Sequence, residues 1–340
     1  MRNLVVAALI LLNFTMYAQD TQYSQFYSNP LYLNPAFAGT GHNSRIALNH
    51  RILWPNLPEA FASYSISIDY SADEYNSGFG FILHTDREGT VNMQTTTGSF
   101  IYSYQIVISK ELVIRPAMKF GHVIRGFDQS KLILGDQIDF GGGITSQDPG
   151  LRSFKLQNYW DIGTGVLIFT PKYWFGLGID HMNRANRSLI EGEDNLQIRY
   201  SAHIGGRFRL KKNVATGTTP ASIAPSALYK RQGNFQQLDV GASVHMQPLV
   251  IGAYYRGIPF LSDGFGGISQ DAIIMQAGLE YANFEFGYSF DIQLSQIDIV
   301  SGGGAHEFSL IYNFHIPWKH RNKPKKKLHC PAFLNGTFND

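Results

Sequence analysis

The sequence is poor in cysteine, because Cys330 is the only one in 340 residues. A chain with one thiol cannot form an intramolecular disulfide, so strand pairing and burial must supply its stability. We interpret Cys330 as an incidental thiol in a C-terminal tail, with intermolecular pairing as a minor alternative.

Charge is also scarce, and it is unevenly distributed. Charged residues make up 16% of the chain, whereas soluble domains usually contain about 25%. Residues 319–340 contain six Lys or Arg and one acid, which leaves residues 19–318 with a net charge of about −4. This mildly acidic body lacks the basic face that nucleic acid requires, so we expect no nucleic-acid partner.

Long apolar runs are missing as well. No apolar stretch approaches the ~20 residues of a membrane-spanning helix, and the mean hydropathy is −0.14. This excludes helical spans but not a membrane β-barrel, whose strands are apolar on one face only. Aromatic residues at 14% and 34 glycines favour closed or stacked β-sheet.

The chain begins with a leader. Arg2 precedes an apolar stretch at residues 4–12, and Ala18 offers a small residue for cleavage. This order is typical of a secretory signal peptide, so we assign residues 1–18 to one and expect an exported mature chain. A membrane anchor is the alternative, but the apolar stretch is too short to span a bilayer.

Most of the remaining chain alternates apolar and polar residues. For example, Phe284, Phe286 and Tyr288 share one face of a predicted strand, and Glu285 lies on the other. This period of two predicts β-strands with two chemically different faces. We expect about 14 strands (12–14) within residues 45–316. A soluble sandwich would also alternate.

The connections and the faces favour a membrane barrel. Tight links such as Gln247-Pro248 alternate with long ones, as in outer-membrane barrels. In one strand Met118 and Ile124 oppose Arg115 and Lys119. An unpaired charge in a dry core would cost several kcal/mol, so we place the apolar faces outward in lipid and the charges in a hydrated lumen. The expected lumen charges are Arg115, Lys119, Arg125, Arg199, Arg207, Arg209, Asp161 and Glu285.

Aromatic residues at predicted strand ends agree with this assignment, since amphipathic rings favour the lipid–water interface. They are Trp54, Trp160, Trp174, Trp318, Tyr32, Tyr173 and Tyr281.

Signals of catalysis and of cofactor binding are weak. Two runs of three glycines, at residues 141–143 and 302–304, are interpreted as loop tips. No helix is predicted after either run, so no helical N–H groups are available to bind a phosphate. The histidines have no spacing typical of a zinc site, although His181 could titrate at a loop mouth. No Ser, His and acid trio can be assembled. We therefore predict no enzyme activity, no metal and no cofactor.

The segment after the leader is rich in aromatic, Asn and Pro residues. Two Asn-Pro steps fix turns, because proline locks φ and disfavours helix in the residue before it. We predict that residues 19–44 form an ordered plug that enters the barrel from the periplasm; a flexible leader remnant is the alternative. The residues assigned to the plug are Tyr23, Ser24, Gln25, Phe26, Asn29, Pro30, Asn34, Pro35, Ala36, Phe37 and Gly39.

This segment resembles the start of mature proteins of the PorP/SprF family, outer-membrane components of the type IX secretion system. The family pattern is roughly Q-F-S-Q-Y followed by N-P-A-Y-A-G. It is met by Gln22, Tyr23, Ser24, Gln25, Phe26, Asn34, Pro35, Ala36, Phe37 and Gly39. Phe26 and Phe37 replace the commoner Tyr. The leader, the length and the strand-rich body extend the resemblance over the whole chain.

The resemblance implies a non-enzymatic barrel in the outer membrane of a Gram-negative bacterium, with both termini periplasmic. It would support secretion or surface attachment of a large exported protein, such as a gliding adhesin. Loops 127–156, 182–196 and 258–270 would hold this client.

The basic tail, residues 317–340, would contact periplasmic components of the secretion system through Lys323, Lys325, Lys326 and Lys327. An unstructured solubilising tail is the alternative. For the whole protein, the alternative is a diffusion pore or small-molecule transporter whose lumen arginines select anions.

Overall fold

A computed structural model describes residues 20–41, 44–57, 60–128, 155–190, 192–210, 221–262, 268–294, 302–315 and 328–333. These residues are mostly β-strand, with short helical turns such as Pro30–Leu33 and Pro35–Phe37. None of the described helices is long and apolar enough to cross a membrane. The strands form a closed antiparallel barrel of 14 strands, which confirms the predicted fold.

Sixteen strand segments build these 14 strands, because β5 continues β4 beside β6, and β10 continues β9 beside β11. The segments are β1 (Ser44–Leu53), β2 (Phe61–Ala72), β3 (Ser77–Glu88), β4 (Met93–Tyr104), β5 (Ile106–Ser109), β6 (Leu112–Gly126), β7 (Gln157–Phe169), β8 (Tyr173–Asp180), β9 (Arg199–Gly206), β10 (Phe208–Arg209), β11 (Ser222–Gln232), β12 (Phe235–Met246), β13 (Leu249–Ser262), β14 (Ile268–Tyr281), β15 (Phe284–Gln293) and β16 (Ala305–Phe314).

The barrel closes between the first and last strands. β1 pairs with β16 along its whole length, from Ser44 opposite Phe314 to Leu53 opposite Ala305. Closure pairs the backbone groups of both edge strands, which is the condition for a sheet to lie in lipid.

The alternation of polar and apolar residues in the sequence corresponds to the inner and outer faces of the barrel. In β2 the residues Ser63, Ser65 and Asp69 are buried, whereas Tyr64 and Ile66 are 44% and 45% exposed. The exposed face is therefore the apolar one, and the polar face lies inside. A water-soluble barrel would show the reverse arrangement.

The connections divide the barrel into two ends. At the short-turn end, β2 joins β3 through residues 73–76, β12 joins β13 through residues 247–248, and β14 joins β15 through residues 282–283. The opposite end, the long-loop end, carries the connections 127–156 and 181–198. The division is not complete, because the tight turn at Gly233 joins β11 to β12 at the long-loop end.

One predicted loop is largely strand. The loop expected over residues 258–270 is reduced to residues 263–267, because β13 runs to Ser262 and β14 begins at Ile268. Pairing continues there through irregular register, with Ile258 opposite Ser269. Backbone pairing across the hairpin therefore extends into the stretch expected to be a loop.

Two of the predicted interface aromatics lie elsewhere. Trp160, Tyr173 and Tyr281 are exposed, but Trp174 is only 2% exposed. Its Nε1 donates a hydrogen bond to the Tyr27 hydroxyl at 2.6 Å, because the alternation of β8 turns it inward. Tyr32 also lies inside the barrel, where its hydroxyl donates to the backbone carbonyl of Thr21 at 2.8 Å. Trp318 lies outside the described residues.

Candidate functional site: the barrel interior

Residues 20–41, here called the N-terminal segment, run the length of the barrel interior. At the long-loop end, the Asp20 carboxylate meets His181 and Arg199. At the short-turn end, the Gly39 backbone N–H donates to Asp69 Oδ2 at 2.8 Å. Asp20, beside the predicted mature N-terminus, therefore lies at the opposite end from the start of β1. This differs from the expectation that both termini lie on one side.

The structure buries all of the residues assigned to the plug, whereas Gln22 of the family motif is only half-buried. Asn34 is extended, with φ −157° and ψ 125°, and its side chain accepts a hydrogen bond from Ala36 N. The following proline opens a short 3-10 turn, Pro35–Phe37. The Asn-Pro step thus acts as a fixed turn, because proline restricts its predecessor to extended backbone and the Asn side chain caps the turn.

Ser24 and Gln25 form the first polar anchor. Glu307 accepts hydrogen bonds from both backbone N–H groups, at 2.7 Å for Ser24 and 3.1 Å for Gln25. The Ser24 hydroxyl donates to Asp291 Oδ2 at 2.6 Å and accepts from Arg51 and Arg256 at 2.8 and 3.0 Å. Charged partners strengthen each of these bonds. The segment is therefore held here by a network of buried ions.

Asn34 forms a second anchor on the opposite wall. Its Nδ2 donates to the backbone carbonyl of Leu177 at 3.0 Å and lies 3.2 Å from His203 Nε2. The His203 ring also stacks on Phe37, with centroids 5.1 Å apart. One side chain of the segment thus joins β8 to β9.

The segment leaves the barrel through a close backbone contact. Gly39 has φ +65°, and a Cβ at this position would lie 2.8 Å from Gly78 Cα. A Cβ on Gly78 would in turn lie 2.2 Å from the Ala38 carbonyl oxygen. Both glycines are therefore needed, because a side chain on either would prevent the N-terminal segment from lying this close to β3, the strand between β2 and β4.

Aromatic rings fill the space between the anchors and the short-turn end. Phe26 packs on Tyr254 with centroids 5.4 Å apart, and Tyr27 packs on Trp174 at 5.6 Å. Both contacts are near-perpendicular, the favoured edge-to-face geometry. Together with Phe37, these rings belong to the main apolar cluster of the interior.

His181 binds the beginning of the segment. Its Nδ1 lies 2.8 Å from Asp161 and its Nε2 lies 2.7 Å from Asp20. Burial alone would lower the pKa of His181, but the two carboxylates raise it to about 9, so the ring is an imidazolium that donates from both nitrogens. Burial would raise the pKa of Asp20, but His181 and Arg199 hold it well below its usual value.

This geometry predicts a loss of order at alkaline pH. The contribution of His181 is fully present below about pH 6.5, its ordinary pKa, and is lost as the pH rises through about 9, its pKa in the folded barrel. We expect amide hydrogen exchange at residues 20–23, corrected for its intrinsic pH dependence, to rise several-fold above that point. His181→Gln should exchange fast at all pH values. A step of equal size in His181→Gln would contradict the assignment.

Five of the charges that the sequence assigned to the lumen are buried in the structure. Arg115, Lys119, Arg199, Arg207 and Asp161 are buried inside the barrel. Lys119 pairs with Asp180, and Asp180 pairs with Arg199 at 2.8 Å. Arg115 is fully buried and donates to Ser103 Oγ at 3.0 Å.

One of the expected lumen charges lies outside the interior, and two others lie at its margins, where Arg125 and Glu285 line interior cavities. Arg209 is exposed, because β10 ends at the rim of the barrel, and its assignment to the lumen is wrong. Arg125 and Glu285 are only half-buried, near opposite ends of the barrel. Glu285 Oε1 accepts a hydrogen bond from Asn313 Nδ2 at 2.7 Å.

The sequence analysis did not single out several buried charges that hold the segment. Each falls on the polar face of an alternating strand, so the alternation could have identified them. They are Arg45, Arg51, Asp180, Lys230, Asp239, Arg256 and Glu307.

Residues 328–333, here called the C-terminal strap, also fold back on the barrel. Cys330 is 1% exposed and belongs to the same apolar cluster as Phe26. Arg207 donates to the Pro331 carbonyl at 3.5 Å. Burial raises the pKa of the Cys330 thiol to about 12. The expectation of a tail extended in solvent therefore fails for the strap, because its apolar side chains find the cluster at the base of the N-terminal segment.

The described interior retains several spaces. Cavities of about 90, 120 and 110 Å³ lie beside the N-terminal segment. The first is lined by charged side chains at the long-loop end, including Lys119, Arg125 and Asp161. Each of these three spaces suits a few water molecules. A larger space of about 360 Å³ lies at the long-loop end beside Asp20, Thr21 and Arg51.

Some of the sequence-based assignments lie outside the described residues. These are the tail lysines Lys323, Lys325, Lys326 and Lys327 and most of loop 127–156. Loop 182–196 is described except for residue 191, and Arg187 and Asp194 pair across it at 3.0 Å. Among the described residues, no group of three or more His, Cys, Asp or Glu is arranged to hold a metal ion.

A closed antiparallel barrel with an apolar outer face and an ion-paired interior is a transmembrane β-barrel protein. A family model described as "Type IX secretion system membrane protein PorP/SprF" matches residues 15–312, so the chain belongs to this family. The resemblance found in the sequence is confirmed. No curated protein sequence matches this chain.

Solved structures similar to this barrel are distant. TodX, the toluene transporter of P. putida, has 9% identity and a TM-score of 0.46, covering 83% of this chain and 93% of its own. CdiB from Acinetobacter baumannii has 10% identity and a TM-score of 0.43, and the match covers 81% of this chain and 60% of CdiB. A mutant porin of Rh. blastica has 8% identity and a TM-score of 0.34, and the match covers 80% of this chain and 99% of the porin.

Proposed function

We propose that this barrel is a non-enzymatic, non-conducting platform of the outer membrane. It supports secretion or surface attachment of one large exported protein, such as a gliding adhesin, by the type IX secretion system. Membership of the PorP/SprF family and the β-barrel fold support this role. The motif residues Tyr23 to Gly39 act as the plug of the platform.

The filled interior is the observation that carries the proposal. A diffusion pore needs an open, hydrated path, and its charges must be free to attract passing ions. Here Ser24 and Gln25 bind the charges at the middle of the barrel, and Asn34 occupies the opposite wall. Three inward arginines, Arg51, Arg199 and Arg256, are thus structural partners of the N-terminal segment, which argues against the alternative of an anion-selective pore or transporter.

The proposal assigns different partners to the two ends. The long-loop end faces the cell surface, where loops 127–156 and 182–196 and the hairpin 258–270 hold the client. The short-turn end faces the periplasm, where Lys323, Lys325, Lys326 and Lys327 contact other components of the secretion system. These contacts are electrostatic and should weaken with salt. Both ends of the barrel domain, at residues 45 and 316, lie on the periplasmic side.

Deletion of the gene in the source bacterium tests the proposal. We expect one large surface protein to disappear from the cell surface, while uptake of small hydrophilic solutes stays unchanged. Complementation with the full chain should restore that surface protein. A general loss of solute permeability with normal surface proteins would instead favour the pore.

A further inference from the structure

The outer wall of the barrel carries a large apolar groove with a volume of about 830 Å³. It crosses the closing seam, from β14 through β15, β16, β1 and β2 to β3. Its lining includes Leu279, Phe286, Leu310, Leu48, Ile66 and Leu83. None of its lining residues is Asp or Glu. The volume falls within the range of small-molecule binding sites, roughly 300–1,000 Å³.

The inner face of the wall at the level of the groove contacts the N-terminal segment. Gly287 and Ser309 face inward at the level of the groove, and both are small. Ser309 Oγ donates to Gln25 Oε1 at 2.7 Å, and a Cβ on Gly287 would lie 2.3 Å from the same oxygen. The N-terminal segment therefore lies directly against this part of the wall, and the groove is the outer counterpart of that contact.

A basic and aromatic edge borders the groove on the side of the long-loop end. The Arg87 guanidinium lies over the Tyr64 ring, 5.9 Å from its centroid, and the His50 ring also stacks on Tyr64, with ring centroids 4.5 Å apart. The Tyr288 hydroxyl and His306 Nδ1 are 2.8 Å apart on the same surface. An apolar groove below a cationic edge has the chemistry of a site for an anionic lipid.

We propose that the groove binds acyl chains of lipopolysaccharide, the phosphorylated glycolipid of the outer leaflet, and that Arg87 binds one of its phosphates. Arginine and phosphate form strong, charge-assisted hydrogen bonds, and the Tyr64 ring holds the guanidinium in place. The choice of leaflet rests on the proposed orientation, in which the long-loop end faces the cell surface. The charge of the edge favours a lipid phosphate over the apolar helix of a membrane partner.

Native mass spectrometry of the full chain in detergent, titrated with lipid A, tests this site. We expect Arg87→Gln to weaken retention of lipid A at least fivefold. Arg231→Gln is the matched control, because Arg231 is also exposed, outward-facing and at the long-loop end, but on β11, away from the groove. Ala277→Phe should fill the groove and displace the lipid, whereas Ala253→Phe, on the outer face of β13 beyond the groove, should not.

Several outcomes would overturn the proposal. If Arg87→Gln and Arg231→Gln lost lipid A equally, or if the protein retained phosphatidylethanolamine as well as lipid A, the groove would be an ordinary lipid-contacting surface. Preference for phosphatidylglycerol over lipid A, or a protein chain found in the groove, would reject lipopolysaccharide as the occupant. None of these variants touches the interior or the client loops, so surface display of the client reports separately on the proposed function.

Discussion

Deletion of residues 20–40 should turn a silent barrel into a conducting one. The intact chain, reconstituted in planar bilayers, should give no steady current, because the N-terminal segment runs through the barrel interior and is anchored on opposite walls by Ser24 and Asn34. Removing the segment removes Phe26 and Phe37 from the apolar cluster and frees the charges that bind Ser24. Water and ions should then fill the lumen, and the temperature of heat-induced unfolding in gel assays should fall.

A scrambled version of residues 20–40 is the matched control for this deletion. It keeps length and composition but loses the register of Ser24 and Asn34 with their partners, so it should conduct like the deletion. If the deleted chain does not fold, Phe26→Ala with Phe37→Ala gives a milder test, since each truncation of a buried Phe costs about 3–5 kcal/mol. Steady current through the intact chain would contradict the proposal that residues 20–40 plug the barrel and would favour the alternative of a diffusion pore.

Replacing Arg256 with Met should lower the free energy of unfolding by about 3–5 kcal/mol, the usual cost of leaving buried carboxylates unpaired. Arg256 bridges Asp239 and Asp291, at 3.0 Å to each, and also donates to Ser24. Both carboxylates are almost fully buried. Urea titration of the barrel refolded in liposomes, followed by tryptophan fluorescence, measures the change.

Two further variants separate the effect of losing the charge of Arg256 from the effect of losing its packing. Arg187→Met should cost within about 1 kcal/mol, because the partner Asp194 is 48% exposed and water replaces the lost cation. Adding Asp239→Leu to Arg256→Met should recover part of the loss, since one unpaired carboxylate disappears. A double variant with the full additive loss would show that packing, not ion pairing, makes Arg256 important.

The two expected results have a common physical origin. The polar interior contains a set of buried ion pairs that the N-terminal segment contacts. Arg51 meets Asp291 and Glu307, and Ser24 lies between these groups with hydrogen bonds to both acids. Without the segment this network would lose several of its hydrogen bonds, so the contacts that fill the barrel also stabilise it.

The strands could be predicted from the sequence because their signal is local. Alternation in Phe284 to Phe290 or in Met118 to Ile124 depends only on neighbouring residues, and it identified the number of strands and the face that meets lipid. Arg115 and Lys119 followed from the same alternation. Arg209 did not, because alternation cannot indicate where a strand leaves the barrel and its side chains reach solvent.

The path of the two terminal segments could not be predicted in this way. Residues 20–41 have no regular period, and their partners, such as His181 and Glu307, are far away in the sequence. The position of Asp20 at the long-loop end depends on its contact with His181, which only the folded barrel brings near. Cys330 is buried, although the composition around it suggested an unstructured tail. By itself the sequence determined a barrel with a charged interior, since each strand carries its own two faces. Only the tertiary structure decided what fills that interior, because closure of the barrel brings distant charges together around a segment without periodicity.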